Sequence, residues 1–265
     1  MDPILLHFLA ALGYLAISVA SWRTCRKETS PPRWLFPAYL CAVSLHALAV
    51  WSLLFGVPSG IRLGVAPVLS LTLWLAGAML AGAMRRSQGY WAPLIHAPVA
   101  AAVSLLAALI PVSDSPVVAA GAPLLVVHLV VALLGYSLFS VIAVHAFLMT
   151  LLDQALHNHR FFRWLERLPP LMTLERQLFK LIALGFVALT LTNVTGFLFA
   201  TWRWDHKTVF SVSAWVVFLL LLIGRWRYGW RGQVALRWLW AGIFLLALAY
   251  VGFHFVRDFL LAHPR

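Results

Sequence analysis

The sequence contains very little charge. Only 11% of its 265 residues are charged and 63% are hydrophobic, whereas a soluble domain typically has about 25% charged and about 45–50% apolar residues. It also contains only two cysteines, Cys25 and Cys41, and no CxxC or CxxCH sequence. The composition therefore excludes an ordinary soluble domain, and the cysteines exclude a thiol-redox motif, a cysteine-based zinc site and a covalent c-type haem attachment site.

Long apolar runs occupy most of the chain. Eight of them are long enough to cross a hydrocarbon layer of ~30 Å, which takes about 20 helical residues each. The runs are continuously apolar rather than alternating, so they indicate helices and not a barrel. The predicted spans are roughly 3–22, 35–56, 63–84, 92–111, 123–152, 178–201, 208–224 and 236–261. We therefore predict an all-α polytopic membrane protein, a bundle of eight transmembrane helices in a single integral membrane domain, 1–265.

The first span lacks the features of a secretory signal peptide. Such a signal needs a positively charged start and a small-residue cleavage site. Here the chain begins MDPILL, and the basic sequence RTCRK follows the span instead. We expect a retained helix whose start lies outside.

The positive charge is distributed unevenly between the predicted loops. The net charge is +12, and fifteen of the 20 Lys and Arg residues fall in four alternate segments, 23–33, 85–86, 160–180 and 225–237. Basic residues mark cytoplasmic loops, so both termini are predicted outside. The basicity then orients the chain and attracts anionic lipid, and nucleic-acid binding is not expected.

One longer segment, 153–177, is predicted to lie in the cytoplasm between the fifth and sixth spans. Within 160–168, apolar residues recur at helical spacing opposite arginines, which is typical of a short helix on the membrane surface. The two prolines at 169–170 should end that helix. Thr173 is then predicted to cap the sixth span.

Histidines indicate where function should be sought, because ionisable groups in hydrocarbon are costly. Three lie in the outer halves of their spans: His46 at a depth of ~15 Å, His128 at ~7 Å and His254 at ~12 Å, taking 1.5 Å per residue. The other histidines lie in loops or near span ends, where an interfacial role is sufficient for residues such as His7 and His145. Hydrogen bonding between helices is the alternative for each histidine taken alone.

An unusual loop separates the sixth and seventh spans. Trp202, Trp204, Asp205, Lys207 and Trp215 lie within one short segment, WRWDHKTVFSVSAW. Neutral imidazole is the usual axial ligand of haem iron, and aromatic rings offer flat apolar surface to a porphyrin. An aromatic belt at the membrane interface would explain the tryptophans but not the neighbouring charges.

These residues resemble the tryptophan-rich motif of the cytochrome c assembly proteins, a haem-handling family of the CcsA, CcmC and CcmF type. The motif runs W-D-x-K with a further Trp eight residues later, here Trp204, Asp205, Lys207 and Trp215. The preceding span is similar to the family's approach helix at Glu175, Lys180, Gly185, Phe186, Thr190 and Gly196. The fifth span matches a His followed eight positions later by Tyr, His128 and Tyr136.

The resemblance covers roughly 125–230 and favours a short, eight-span branch of the family. This sequence departs from larger members at Thr208 and Phe210, where they have Glu and Trp. The family implies haem binding. The chain need not catalyse a covalent step, because c-type haem is ligated on a CxxCH apocytochrome and no CxxCH occurs here, so we do not expect an enzyme. We expect haem b near the outer leaflet of a bacterial inner membrane, with cytochrome c maturation components or an apocytochrome as partners.

The residues are assigned to this function as follows. The candidate haem-iron ligands are His128 and His46, and His254 is a further cofactor-binding candidate. Trp202 and Trp204 are expected to contact the porphyrin, and Arg203 or Lys207 to pair with a propionate. Asp205 and Trp215 complete the predicted cofactor site.

Two other functions remain open from the sequence. The first is a cofactor-free membrane accessory or regulatory subunit whose outer loop docks a partner. The second is a haem- or quinone-linked electron carrier, which ligation by two histidines from different helices would suit.

Overall fold

A computed structural model describes residues 2–27, 30–55, 61–62, 64–85, 91–110, 117–118, 123–157, 170–199 and 205–252. Within these residues, eight helices are long and apolar enough to cross a membrane. They are α1 (Pro3–Arg26), α2 (Leu35–Phe55), α3 (Val65–Arg85), α4 (Ala92–Leu109), α5 (Pro123–His157), α6 (Leu171–Phe199), α7 (His206–Tyr228) and α8 (Gly232–Ala247). The predicted all-α polytopic membrane protein with eight spans is confirmed, whereas its orientation stays a prediction.

The helices form two compact units, one of α1–α4 and the other of α5–α8. Two short strands, β1 (Ile61–Arg62) and β2 (Val117–Val118), also belong to the first unit. They pair in antiparallel orientation, with Ile61 opposite Val118. The single domain expected from the sequence stays a prediction.

Small residues build the core of the first unit. Ala42 is buried on α2, and a Cβ placed on Gly13 of α1 would lie 3.4 Å from the Ala42 Cβ. On α4, Ala97 and Ala100 are fully buried. Small side chains let helix backbones approach closely, which is how helices commonly associate in lipid. Two large polar aromatic residues, Tyr14 and Tyr39, share this core.

Glycines make room for aromatic rings in the second unit. A Cβ on Gly185 of α6 would lie 3.1 Å from the Phe139 ring of α5, and a Cβ on Gly242 of α8 would lie 2.6 Å from the Phe218 ring of α7. Phe139 and Phe218 also contact each other, with ring centroids 4.6 Å apart. These close approaches join the four helices of the unit around one aromatic contact.

The connection between α5 and α6 is shorter than the predicted segment 153–177. α5 extends to His157, and α6 begins at Leu171, seven residues before the predicted start of the sixth span at 178. Thr173 lies inside α6 and does not cap it. Leu174, in the added part of the helix, packs inward, as does Leu178 about one turn later. This apolar stripe continues the helix through its charged residues. The predicted surface helix at 160–168 lies outside the described residues.

The other described boundaries differ from the predicted spans by a few residues, and the predicted end of the last span at 261 lies outside the described residues. α7 begins at His206 and ends at Tyr228, and α8 begins at Gly232. Gly229 adopts a left-handed conformation with φ of 66°, which stops α7 and turns the chain toward α8. The long helix therefore carries its basic residues Arg225 and Arg227 within its last turn.

α8 ends in an irregular turn. Its α-helical part stops at Ala247, and a π-helical turn follows over Leu248–Gly252. The Tyr250 ring of this turn lies 5.5 Å from the ring of Tyr136 on α5. Tyr136, one of the residues that resemble the family, thus packs within the second unit.

Candidate functional site

His128 lies on α5, near the start of the helix, and is held from the end of α6. Its Nδ1 is 3.0 Å from Oγ1 of Thr195. The Thr195 hydroxyl has one proton and directs it to a backbone carbonyl, that of Leu191 at 2.8 Å or that of Thr192 at 3.1 Å. With this direction, its oxygen accepts a hydrogen bond from His128 Nδ1, and we assign the imidazole the tautomer that has its proton on Nδ1. In the neutral imidazole, Nε2 then carries the lone pair.

Gly196 provides the space for this imidazole. A Cβ at Gly196 would lie 3.2 Å from Cε1 of His128 and 3.7 Å from its Nδ1. Any side chain here would press on the ring that Thr195 holds. The fixed tautomer and the absence of a side chain beneath the ring together position His128 as a donor of its Nε2 lone pair.

Asp205 begins α7 as its N-cap. Its carboxylate accepts hydrogen bonds from the backbone amide of Thr208 at 2.9 Å and from the Thr208 hydroxyl at 2.7 Å. Burial alone would raise the pKa of the Asp205 carboxyl, but these two bonds and the positive charge of Lys207 outweigh it and hold the pKa below its usual value. The Asp of the W-D-x-K motif thus organises the start of a helix.

Lys207 follows in the first turn of α7. Its side chain is exposed, and its charge acts on both Asp205 and His128. The helix start therefore places a cation close to the imidazole. A cation near a neutral nitrogen donor is a suitable arrangement for a ligand that carries acidic groups.

The sequence of most of the chain identifies its family. The sequence model described as Cytochrome C assembly protein matches residues 35–261. The chain belongs to this family. The match includes α2 to α8, and thus His46, His128 and the segment that caps and forms α7.

Several relatives support this assignment. The inner membrane protein YpjD of Escherichia coli (strain K12) is 34% identical over 143 residues, which is 52% of this chain and 54% of YpjD. The chain thus spans about half the length of this relative. An uncharacterized 28.8 kDa protein of Azospirillum brasilense is 33% identical over 207 residues, 73% of this chain and 76% of that protein. The cytochrome c biogenesis protein CcsA of Trieres chinensis is 30% identical over 98 residues, 35% of this chain and 31% of that protein.

Trp215, the last residue of the family motif, joins α6 to α7. Its indole Nε1 donates a hydrogen bond to Thr190 Oγ1 at 2.8 Å, and its ring stacks on Phe186 with centroids 5.4 Å apart. Thr190 precedes Thr195 by five residues of α6, a rise of ~7.5 Å. Trp215 thus packs about one and a half helical turns deeper than the contact that holds His128.

His46 lies in the first unit, on α2, and is fully buried. Its Nδ1 is 3.3 Å from the Tyr14 hydroxyl, and its Nε2 is 2.8 Å from Ser70 Oγ. Both ring nitrogens are therefore engaged. Trp202, Arg203, Trp204 and His254 lie outside the described residues. Among the residues that are described, no group of three or more His, Cys, Asp or Glu side chains could hold a metal ion.

Reasoning from the sequence missed the polar neighbours of His46. His7, which was expected to need only an interfacial role, is fully buried, as is Tyr39. The spacing of these residues in the sequence could have indicated the cluster. His7 and Tyr14 are seven residues apart on α1, and Tyr39 and His46 are seven residues apart on α2. Seven residues are close to two helical turns, so each pair occupies one face of its helix.

Proposed function

We propose that the chain binds haem b and holds or relays it during cytochrome c assembly. The observation that carries this proposal is the His128 imidazole, whose Nδ1 is bonded to Thr195 and whose Nε2 lone pair can ligate iron. Membership of the cytochrome c assembly family supports it, as do relatives whose names refer to cytochrome c biogenesis.

The described residues fit a haem group at His128 in two respects. Its tautomer is the one that haem ligation through Nε2 requires. Gly196 has no side chain that would push the His128 ring out of its position. Lys207 would pair with a propionate. Bound haem would supply an iron centre that accepts a further ligand, and the protein would supply position and electrostatics.

The other predicted contacts remain part of this proposal. Trp202 and Trp204 would offer ring surface to the porphyrin, and Asp205 would support them by fixing the start of α7. His46 and His254 are the candidates for a second ligand. His46 would have to give up its bond to Ser70 or to Tyr14 in order to ligate iron, so we expect it to contribute less than His128.

The orientation gives the proposal its cellular setting. The basic segments predict that the start of α7 faces away from the cytoplasm, and YpjD is an inner membrane protein. We therefore place the chain in a bacterial inner membrane, with its haem near the outer leaflet. An apocytochrome or other maturation components would receive the haem there.

Absorbance of the purified protein tests this function directly. Protein from haem-replete membranes should show a Soret band and a pyridine haemochrome of b type. His128→Ala should lower the ratio of haem to protein, and Gly196→Val should do so by displacing the ring. His145→Ala is the matched control, because His145 is a buried histidine of the same helix whose Nδ1 donates to the Val141 carbonyl at 3.0 Å.

The outcomes separate the function from the residue assignment. A colourless preparation that also fails to bind added haemin would contradict haem binding. Haem content that is equal in the wild type and in His128→Ala would contradict His128 as a ligand. If His46→Ala lowered the haem content more than His128→Ala, the order of the two ligands would be reversed.

A cofactor-free accessory subunit is the second candidate, and one observation favours it. Two residues of the family motif, Asp205 and Trp215, have structural partners within the chain itself. The motif therefore stabilises α7 whether or not haem is present. A haem-free protein that co-purifies stoichiometrically with one membrane partner, and loses it when Arg203 is replaced by Glu, would support this alternative.

A further inference from the structure

Six polar side chains are buried together in the first unit, and they come from all four of its helices. Each has a relative exposure of 1% or less. They are His7, Tyr14, Tyr39, His46, Ser70 and His96. Burying polar groups is costly unless they are hydrogen bonded. The haem proposal uses only His46 of this cluster, so the cluster needs its own explanation.

Four of the six side chains form a continuous hydrogen-bonded chain. His7 Nδ1 is 2.9 Å from the Pro3 carbonyl, and His7 Nε2 is 3.0 Å from Ser70 Oγ. On the other side of Ser70, His46 Nε2 lies at 2.8 Å. This series of hydrogen bonds ends between His46 Nδ1 and the Tyr14 hydroxyl, which are 3.3 Å apart.

The chemistry of the groups fixes the direction of every proton in this chain. A carbonyl only accepts, so His7 Nδ1 donates to Pro3 and its Nε2 accepts from Ser70. Ser70 then accepts from His46 Nε2, and His46 Nδ1 accepts from Tyr14. All four donors therefore point the same way, from Tyr14 toward Pro3.

The other two side chains form a second segment. His96 Nε2 is 3.0 Å from the Leu73 carbonyl, so it donates there, and its Nδ1 accepts from the Tyr39 hydroxyl at 2.8 Å. Gly77 makes room for both groups, because a Cβ there would lie 2.9 Å from His96 Cε1 and 3.5 Å from the Tyr39 hydroxyl oxygen. His96 lies edge-on to Tyr14, with ring centroids 5.9 Å apart.

The two segments together extend through most of the first unit. His7 is the fifth residue of α1, and Tyr39 and His96 are the fifth residues of α2 and α4. Because successive spans run in opposite directions, these positions lie near opposite ends of the unit. Tyr14 and His46 are both the twelfth residue of their helices and lie near the middle of the unit. His7 precedes Tyr14 by seven residues, and Tyr39 precedes His46 by seven, which in each case corresponds to ~10 Å of helix.

The chemical composition of the cluster points to protons rather than to other ions. Every buried polar side chain in the described part of this unit is a His, Tyr, Ser or Thr. A path for metal cations would need carboxylate or carbonyl oxygens that replace the hydration shell. Hydroxyl and imidazole groups instead can each accept one proton and release another.

We propose that this cluster is a proton path through the first unit. A proton that reaches the Tyr14 oxygen releases the Tyr14 hydroxyl proton to His46 Nδ1. His46 then passes its Nε2 proton to Ser70, and Ser70 passes its own to His7 Nε2. His7 finally releases its Nδ1 proton to water at the Pro3 end of the unit, because the Pro3 carbonyl accepts a hydrogen bond but does not take up the proton. One proton enters and one leaves, with no oxidation or reduction.

The second segment supplies the proton to Tyr14. A proton accepted by the Tyr39 oxygen displaces its hydroxyl proton to His96 Nδ1, and His96 releases its Nε2 proton. A water molecule that takes up this proton and passes one to the Tyr14 oxygen closes the gap between the two segments. This step is the slowest part of the path, because it is the only one that lacks a direct hydrogen bond in the described residues.

Proton flux into vesicles tests the proposal. Haem-free protein is reconstituted into liposomes that contain the pH dye pyranine, and a potassium gradient with valinomycin supplies the driving potential. The wild type should acidify the lumen faster than protein-free liposomes do. Tyr14→Phe and Ser70→Ala, which each remove a single oxygen atom from the path, should return the flux to the protein-free level.

Matched controls separate loss of the path from loss of the fold. Tyr228→Phe removes the hydroxyl of an exposed tyrosine, and Ser140→Ala removes a hydroxyl that donates to the Tyr136 carbonyl of its own helix. Both variants should keep the wild-type flux. Wild-type flux at the protein-free level, or equal flux in the path variants and the controls, would overturn the proposal.

A second measurement examines the proton positions themselves. Nitrogen-15 NMR of the histidines should show the proton of His7 on Nδ1 and the protons of His46 and His96 on Nε2. Any other tautomer at His7 or His46 would contradict the directed chain. The expected tautomers without any flux would mean that the cluster only joins the helices, and would overturn the proposal without affecting haem binding.

Discussion

The ion pair between Glu175 and Arg225 should be a main stabilising contact of the second unit. Glu175 on α6 is buried and lies in close contact with the guanidinium of Arg225 at the end of α7. The same guanidinium donates to the Trp230 carbonyl at 3.1 Å and lies 4.5 Å above the Phe179 ring. Arg225 thus fixes the last turn of α7 to α6 and to the connection that leads to α8.

The size of the effect follows from the surroundings of the two groups. Removing one partner of a buried pair costs about 3–5 kcal/mol, because the other charge is left without compensation. The Arg225 side chain is 26% exposed, so water relieves part of that cost, and its bond to Trp230 remains. We therefore expect Glu175→Gln to lower the free energy of unfolding by about 2–3 kcal/mol.

A double-mutant cycle in mixed micelles measures this quantity. Reversible unfolding by SDS would be followed for Glu175→Gln, for Arg225→Met and for the double variant. The double variant should be no less stable than the worse single variant, because removing both charges leaves neither one unpaired. Arg227→Met is the control, since Arg227 is exposed in the same helical turn. Additive losses in the double variant would refute the coupling between Glu175 and Arg225.

Three further predictions concern the termini of α7 and the orientation of the chain. Gly224→Ala should destabilise the protein by about 1–3 kcal/mol, measured by the same unfolding assay, because the new Cβ would lie 2.3 Å from the Trp230 ring. Asp205→Ala should cost about 1 kcal/mol of cap stability. Because the pKa of Asp205 is lowered, this contribution should be complete above pH ~3.9 and disappear as the pH falls through the lower folded-state value. A cysteine at Arg203 should react with an impermeant maleimide in intact cells, and a cysteine at Asn158 should not; the opposite pattern would invert the predicted topology.

The membrane fold was predictable because length and hydrophobicity determine which segments can cross a bilayer. Continuous apolar runs gave all eight helices, with errors confined to their ends. Leaving aside the end of the last span, which lies outside the described residues, the largest difference was at the start of α6, where charged residues between 175 and 180 suggested a cytoplasmic segment. One of those charges, Glu175, has its counter-ion 50 positions later in Arg225. A charge that is compensated by a distant partner cannot be recognised from the local composition.

The polar residues were predictable in position but not in role. The family motif located Asp205, and Thr208 follows it at the spacing of an N-cap contact. The hydrogen bond between Asp205 and the Thr208 amide could therefore be predicted from the local sequence. Trp215 and Thr190 are 25 positions apart, and their contact depends on how α6 and α7 face each other. The predicted porphyrin contacts of Trp202 and Trp204 stay predictions, because both residues lie outside the described part of the chain.

The two histidines predicted as iron ligands show why depth in the membrane was insufficient to rank them. Both lie in the half of a span that was predicted to face outward, but their rings are held differently. His128 has one nitrogen bonded to Thr195 and offers the other as a lone pair. His46 uses both nitrogens, one toward Tyr14 and one toward Ser70. A ligand needs a free lone pair, whereas a proton path needs a donor on one side of the ring and an acceptor on the other. These partners are the reason for proposing His128 as the main iron ligand and His46 mainly as part of the proton path, with His46 the weaker candidate for iron. Comparing the haem content and the proton flux of the two alanine variants would test both proposals.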